Sequence, residues 1–275
     1  MRRNTAAAAI LTLLATSASS REPDVVRLTP HRVVYDLSLA KAGGTRAMEE
    51  ARGRIAFDFT GDACEGYALN YRQVTVLQGG ETGSRTSDLR TNTFEDGNGK
   101  SLRFRSESRM EGEVRSTVEG NADLASGRLT IRLKQPKPAT VSVPGEALFP
   151  TEHMKRLIRA ARAGETTLTI KIFDGSDDGR KVYETLAVIG RRIDPGNVEG
   201  VEEPARQERL ARLPRWPVTL SYFEPGDGER TPIYTISFEL YDNGISRALR
   251  LDYGDFALTG DLQSLDLHSE STCQR

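Results

Sequence analysis

Few side chains with chemistry to offer occur in this chain, and they stand far apart. There are two cysteines, Cys64 in TGDACEGYALNYR and Cys273 in HSESTCQR, and three histidines, His31, His153 and His268. No two of these five residues stand at i, i+2 to i+4, the spacing that aims two ligands at one zinc ion, so no zinc site is expected. Two other stretches imitate ligand loops. FEDGNGKS ends in Gly99-Lys100-Ser101 like a phosphate-binding loop, but Phe94 stands where that loop needs its first glycine. SLRFRS after it alternates like a strand instead of opening a helix, so the stretch reads as a hairpin turn. DGSDDG, Asp174 to Gly179, begins like a calcium loop, yet its third position is Ser176 and its twelfth is Thr185, and strands flank it; a solvated hairpin is expected. His153 falls in the first turn of a helix, where it is expected to face water and not to act as a base. There is no G-x-S-x-G and no H-E-x-x-H. These absences predict a protein that is not an enzyme and needs no cofactor.

The cysteines take their meaning from compartment. MRRNTAAAAILTLLATSASS has basic Arg2 and Arg3, an apolar run and then small residues, which predicts a signal peptide over residues 1–20 with cleavage between Ser17 and Ser20. The run is too short for a transmembrane anchor, which takes about 20 apolar residues, and no cysteine follows it to be acylated. Export to an oxidising compartment follows. In an oxidising compartment two cysteines without a third have one connectivity, Cys64–Cys273, closing a loop of roughly 200 residues with a chain-entropy contribution of about 5 kcal/mol as an upper figure. The alternative is a pair of buried free thiols. Formal net charge is −1, and loss of the leader removes two arginines and no acid, so nucleic acid is excluded as an expected partner.

The elements that must position these residues are strands. Val33, Tyr35, Leu37 and Leu39 alternate with polar residues, as do Ile55, Phe57 and Phe59, and Leu129, Ile131 and Leu133. Between such runs lie EDGNGKS, ASGRL, EPGDGER and YDNGIS, turns short enough that consecutive strands must be antiparallel neighbours. The reading is all-β: residues 21–275 form a single domain, a long antiparallel meander of roughly a dozen or more strands. The apolar parity shifts after Tyr71, which predicts a bulge near Arg72 and Gln73. One helix interrupts the meander in FPTEHMKRLIRAARAGE. Thr151 is the expected cap, Gly164 the stop, and Met154, Leu157, Ile158 and Ala161 form an apolar stripe that needs a sheet to cover. Residues 194–214, rich in Pro, Glu and Arg and without a pattern, read as a surface insertion.

With these pieces placed, the chain resembles the EipB family of alphaproteobacterial periplasmic cell-envelope-integrity proteins. LTPHRVVYDLSLAKA, FDFTGDACEGYALNYR, LFPTEHM, IFDGSDDGRKVYETLAVIG, PVTLSYFE, YTISFELYDNGISRALRLDYGDFAL and STCQR carry the resemblance, with both cysteines where that family has its disulfide. The resemblance implies a β-spiral or half-barrel similar to periplasmic lipoprotein carriers, with the helix against the concave face. It implies a role in envelope maintenance with no known reaction, and a TPR-repeat periplasmic protein as partner. Two functions fit: a structural adaptor closed by Cys64–Cys273, or a carrier of lipid or lipoprotein acyl chains in the concave face. An apolar helix that fills the concavity favours the adaptor.

Overall fold

The computed structural model describes residues 25–42, 48–79, 83–226 and 228–269. Eight strands come first: β1 (His31–Ala42), β2 (Met48–Asp62), β3 (Gly66–Gly79), β4 (Gly83–Glu95), β5 (Ser101–Met110), β6 (Glu113–Ala125), β7 (Arg128–Gln135) and β8 (Ala139–Pro144). Helix α1 (Pro150–Ala163) follows, then β9 (Thr167–Ile172), β10 (Tyr183–Ile189), a short helix α2 (Glu208–Ala211), β11 (Arg215–Phe223), β12 (Tyr234–Tyr241), β13 (Ser246–Asp252) and β14 (Phe256–Leu267).

Hairpin turns dictate most of the topology. Ser126 and Gly127, both with positive φ, join Ala125 to Arg128 as a two-residue loop, the geometry whose twist matches that of the strands it connects. Repeated, such turns lay β1 to β8 side by side in one direction and β14 back to β9 in the other. The two runs are joined where β1 pairs with β14, so the 14-stranded antiparallel sheet has β8 and β9 as its edges. The meander therefore does not start at an edge, as a simple serial winding would; its first and last strands are central.

Register puts the apolar residues on one face of this sheet. Val33 lies opposite Phe57 and Phe57 opposite Tyr71; Leu102, Ala122, Ile131 and Val141 align across four strands; so do Leu220, Ile236, Leu251 and Leu258. Alternate positions carry Arg32, Asp58, Arg72, Arg103 and Arg105. The parity change after Tyr71 is not a bulge. β3 pairs without a break through Arg72 and Gln73, and its inward positions simply turn polar, with Tyr71 Oη donating to Gln73 Oε1 at 2.6 Å.

Three pieces of chain cover the concave face. Helix α1 packs Leu157, Ile158 and Ala161 among Ala187, Val218, Leu220 and Leu240. The run after β9 is a cover too, not the solvated hairpin expected of DGSDDG: Phe173 and Val182 join Leu102, Phe104 and Leu133 in a buried cluster. Residues 194–214, read as a patternless surface insertion, place Val201, Ala205 and Leu210 in a third cluster with Tyr35, Leu258 and Leu265. Sequence pattern missed this because the segment binds by isolated small anchors and by ions: Arg247 pairs with Glu202 and Glu239, and Arg215 donates to Glu239 and, at 2.7 Å, to the Asn197 carbonyl.

Gly175 shows how tight the loop cover is. Its φ is +74°, and a Cβ there would lie 2.4 Å from Phe104 Cγ. Gly175→Ala should therefore cost about 1–3 kcal/mol through backbone strain and overpacking together. A lower urea midpoint with an unchanged m-value would show it; an unchanged midpoint would mean that the loop is not seated on Phe104.

Candidate functional site: the helix laid into the concave face

Helix α1 follows from its sequence. Pro150 at the first position fixes φ and lacks an N–H that would go unused, and Gly164 ends the helix at φ +77° with its N–H on Ala161 O. The start differs from expectation. Phe149 is the N-cap and gives no side-chain hydrogen bond, while Thr151 lies inside the helix. The orphan amides are satisfied from another part of the chain: Glu95, at the end of β4, accepts from Thr151 N at 2.7 Å and from Glu152 N at 3.0 Å. A carboxylate at a helix N-terminus is favoured by the helix dipole as well as by these bonds. The turn that imitated a phosphate loop thus supplies a cap, and a Cβ on its Gly99 would touch Glu152 at 3.3 Å.

The other end is fastened to the far arm of the sheet. Arg162 Nε and Nη2 donate to both oxygens of Asp242, at 2.7 and 3.0 Å, in the turn between β12 and β13. Asn243 in the same turn donates its Nδ2 to Thr29 Oγ1 at 3.0 Å and accepts Thr29 N on its carbonyl at 2.9 Å, fixing the segment before β1. Between its ends the helix buries Leu157 and Ile158 completely and Ala161 nearly so, with Met154 partly buried beside them. Each of the two larger side chains contributes about 1.5–3 kcal/mol by leaving water. Lys155 is buried as well, its ammonium 4.7 Å from the centroid of the Tyr67 ring and 3.7 Å from Glu152.

His153 corrects the expectation of a water-facing residue. It is buried against β10, 3.2 Å from Thr185 Oγ1. Thr185 commits its own proton to Ile170 O at 2.9 Å, so His153 Nε2–H must be the donor. Burial pushes its pKa down to about 4, which leaves a neutral ring, and the hydroxyl it touches has its proton committed to Ile170 O. His31 and His268 are elsewhere, at the β1–β14 end: His31 Nδ1 donates to Thr29 O at 2.7 Å and His268 Nε2 lies 2.7 Å from Asp58. Among the described residues no three acids, histidines or cysteines are grouped to hold a metal ion.

Cys64 sits in the turn after β2, where Asp62 Oδ1 accepts its N–H at 2.7 Å; Cys273 lies outside the described residues. Strand order changes what a bridge between them would do. His31 pairs with Phe59 on one side and Leu267 on the other, so the Cys64 turn and the end of β14 flank β1 in the middle of the sheet. The open seam is between β8 and β9. A Cys64–Cys273 bond would tie the tail to the second turn and would not clasp the free edges.

The sequence pattern of the EipB-like family matches residues 23–269. The chain belongs to this family. It is 39% identical over 246 residues to a protein named cell envelope integrity protein EipB from Brucella abortus (strain 2308), covering 88% of this chain and 85% of that one. A solved structure from Brucella abortus, described as a β-barrel-like protein of a domain of unknown function, superposes with a TM-score of 0.81 at 38% identity. The superposition covers 89% of this chain and all of that one. Within this EipB-like chain, Leu157, Ile158, Ala161 and Met154 are brought together against the sheet. Glu95, Thr185 and Asp242 fasten the helix and were not anticipated. Glu95 did leave one signal, a carboxylate at an inward position of an alternating strand; its partner, 56 residues away, left none.

Two groups at this helix titrate in opposite senses. Burial pushes Glu95 up to about 7, against the two backbone N–H bonds and Lys155 that favour its ionised form. Its contribution is thus fully present below its unfolded value of 4.5 and is lost as pH rises through 7. His153, lowered from 6.5 to about 4, contributes above 6.5 and loses that contribution as pH falls through 4. Each span is worth up to about 3 kcal/mol. Glu95→Gln should leave a protein whose stability falls on acidification from pH 7 to 4.5, and His153→Gln one whose stability rises. Denaturation midpoints measured across that range test the pair; parallel profiles for both variants would refute the assignment.

Proposed function

We propose that this chain is a non-enzymatic periplasmic protein that maintains cell-envelope integrity as a structural adaptor, its concave face permanently filled by its own helix. The observation that carries the reading is the state of α1. Leu157 and Ile158 have no exposure, and the helix is held by Glu95 at one end and Asp242 at the other, on opposite arms of the sheet. A carrier would need this helix to leave before an acyl chain could enter, exposing the cluster beneath it. The envelope role is supported by the name of the Brucella relative. Export is supported by the leader-like residues 1–20, and no helix among the described residues is long and apolar enough to cross a membrane.

The Cys64–Cys273 disulfide belongs to this proposal. No cysteine among the described residues is a free thiol, and the Cys64 turn and the end of β14 lie at the same end of the sheet, both of which support the bond. Its role is to tether the tail over the turn that packs against the hairpin of Glu95: a Cβ on Gly97 of that hairpin would lie 2.1 Å from Ala63 O. The partner is a periplasmic protein, with a TPR-repeat protein as the first expectation from the family, and it engages the surface that the filled concavity leaves available.

Native mass spectrometry of protein taken gently from cells should show the bare mature chain. Leu157→Asp, which places a carboxylate in the helix interface, should cost several kcal/mol and with it the fold. A lipid-sized adduct on the wild type, lost in a folded Leu157→Asp, would replace the adaptor by the carrier. For the bridge, exported protein should show no titratable thiol until denatured and reduced, and Cys64→Ser should lower stability by about 2–5 kcal/mol, matching the reduced wild type. Two reactive thiols in the native protein would remove the disulfide from the account.

A further inference from the structure

The outward face of β2 to β7 is not a flat solvated surface. Two depressions of about 600 and 460 Å³ adjoin there and share Asn92. At the first depression β7 carries an extra residue, Lys134, opposite Glu119 and Gly120 of β6, and such a bulge bends its strand. Along the floor, register aligns Asp58, Asn70, Asn92, Arg105 and Glu119 side by side across five neighbouring strands. At strand spacings of about 4.8 Å these planar polar side chains form a row that follows the curve of the sheet for about 19 Å. The depressions are lined by six cations, Arg32, Arg72, Arg90, Arg103, Arg105 and Lys134. Three lining carboxylates, Asp58, Glu119 and Asp123, face them. Arg105 and Lys134 pair with Glu119, and Arg72 and Arg90 with Asp88, so the excess of cations rests on Arg32 and Arg103, on a chain whose formal net charge is −1.

From this face we infer a binding site for an acidic polysaccharide, a linear sugar polymer carrying carboxylate groups. The excess cations ask for a polyanion. Carboxylates interspersed among them would repel a chain that is anionic and acceptor-only at every step, such as polyphosphate, but they accept hydrogen bonds from sugar hydroxyls. Exposed amides at Asn70 and Asn92 offer a donor and an acceptor each. Base stacking is not on offer, because the Arg103 guanidinium already covers the Phe94 ring at 4.6 Å. A ligand that presents hydroxyls and negative charges in alternation along a line satisfies all three residue types at once.

The test uses the mature protein with fluorescent hexamers of galacturonic acid and of mannuronic acid, chitohexaose as the uncharged counterpart, and inorganic polyphosphate. At least one uronate hexamer should bind, with an affinity that falls as salt rises. Asn92→Ala and Arg105→Ala should each weaken it by about tenfold or more at unchanged melting temperature, since each removes a contact from an exposed position. Arg250→Ala, on the other arm of the sheet, should leave binding as it was. No binding of either uronate would overturn the site. So would equal binding of chitohexaose, or tighter binding of polyphosphate that Asn92→Ala does not disturb, which would reduce the face to a basic strip.

Discussion

Pairing of β1 with β14 is the interaction on which the rest of this structure depends. Every other pair of neighbouring strands is consecutive in the chain, whereas this one brings His31 opposite Leu267 and Ala42 opposite Phe256 across nearly the whole chain. Without it there would be two separate curled sheets, each with an uncovered apolar face and two open edges. With it the two faces become one. Its cost is the closure entropy of a very long loop, and it is met by a full-length ladder and by Tyr35, Leu258 and Leu262 buried across the seam.

Once β1 and β14 are central, β8 and β9 must be the edges, and the chain between them has to pass from one edge to the other. Only residues 145–166 are available for that passage, and they include α1. Leu148 already makes a parallel bridge to Ile172 at the far edge, four residues after β8 ends. So short a step at about 3.5 Å per residue means that the sheet has curled until its edges nearly meet. The helix then has one place to go, into the space that the curl encloses. Its position on the concave face is thus a consequence of topology before it is a consequence of its apolar stripe.

This order of causes explains what could be read from sequence. Alternation in β1, β2 and β7 and the turn residues between strands announce themselves locally, and so do the stripe and the stop of α1. The seam at β1–β14 does not, because no residue in either strand marks its partner, and so the places of Cys64 and of the tail beside central strands were hidden as well. Fixtures of the helix were hidden for the same reason. Glu95, Thr185 and Asp242 each lie in a different element from the group they hold. The cover formed by Gly175 and Gly179 was misread because a loop rich in Asp looks solvated, although its glycines are what let the backbone come down onto Phe104 and Val118.

The polarity of the interior also fixes which way the helix runs. Where β3 and β4 cross the concave face, the inward side chains include Gln73, Thr75 and Glu95; across β10 to β12 they are Ala187, Val218, Leu220 and Leu240. A helix laid over this surface presents unpaired N–H groups and positive potential at its start and unpaired carbonyls with negative potential at its end. Placing the start over Glu95 satisfies two amides with one carboxylate, and Arg162 in the last turn suits the opposite potential while reaching Asp242. Reversed, the same helix would set Glu95 against carbonyl oxygens and remove both N–H donors that it now accepts from. Helix direction and the polar third of the concave face are therefore one fact.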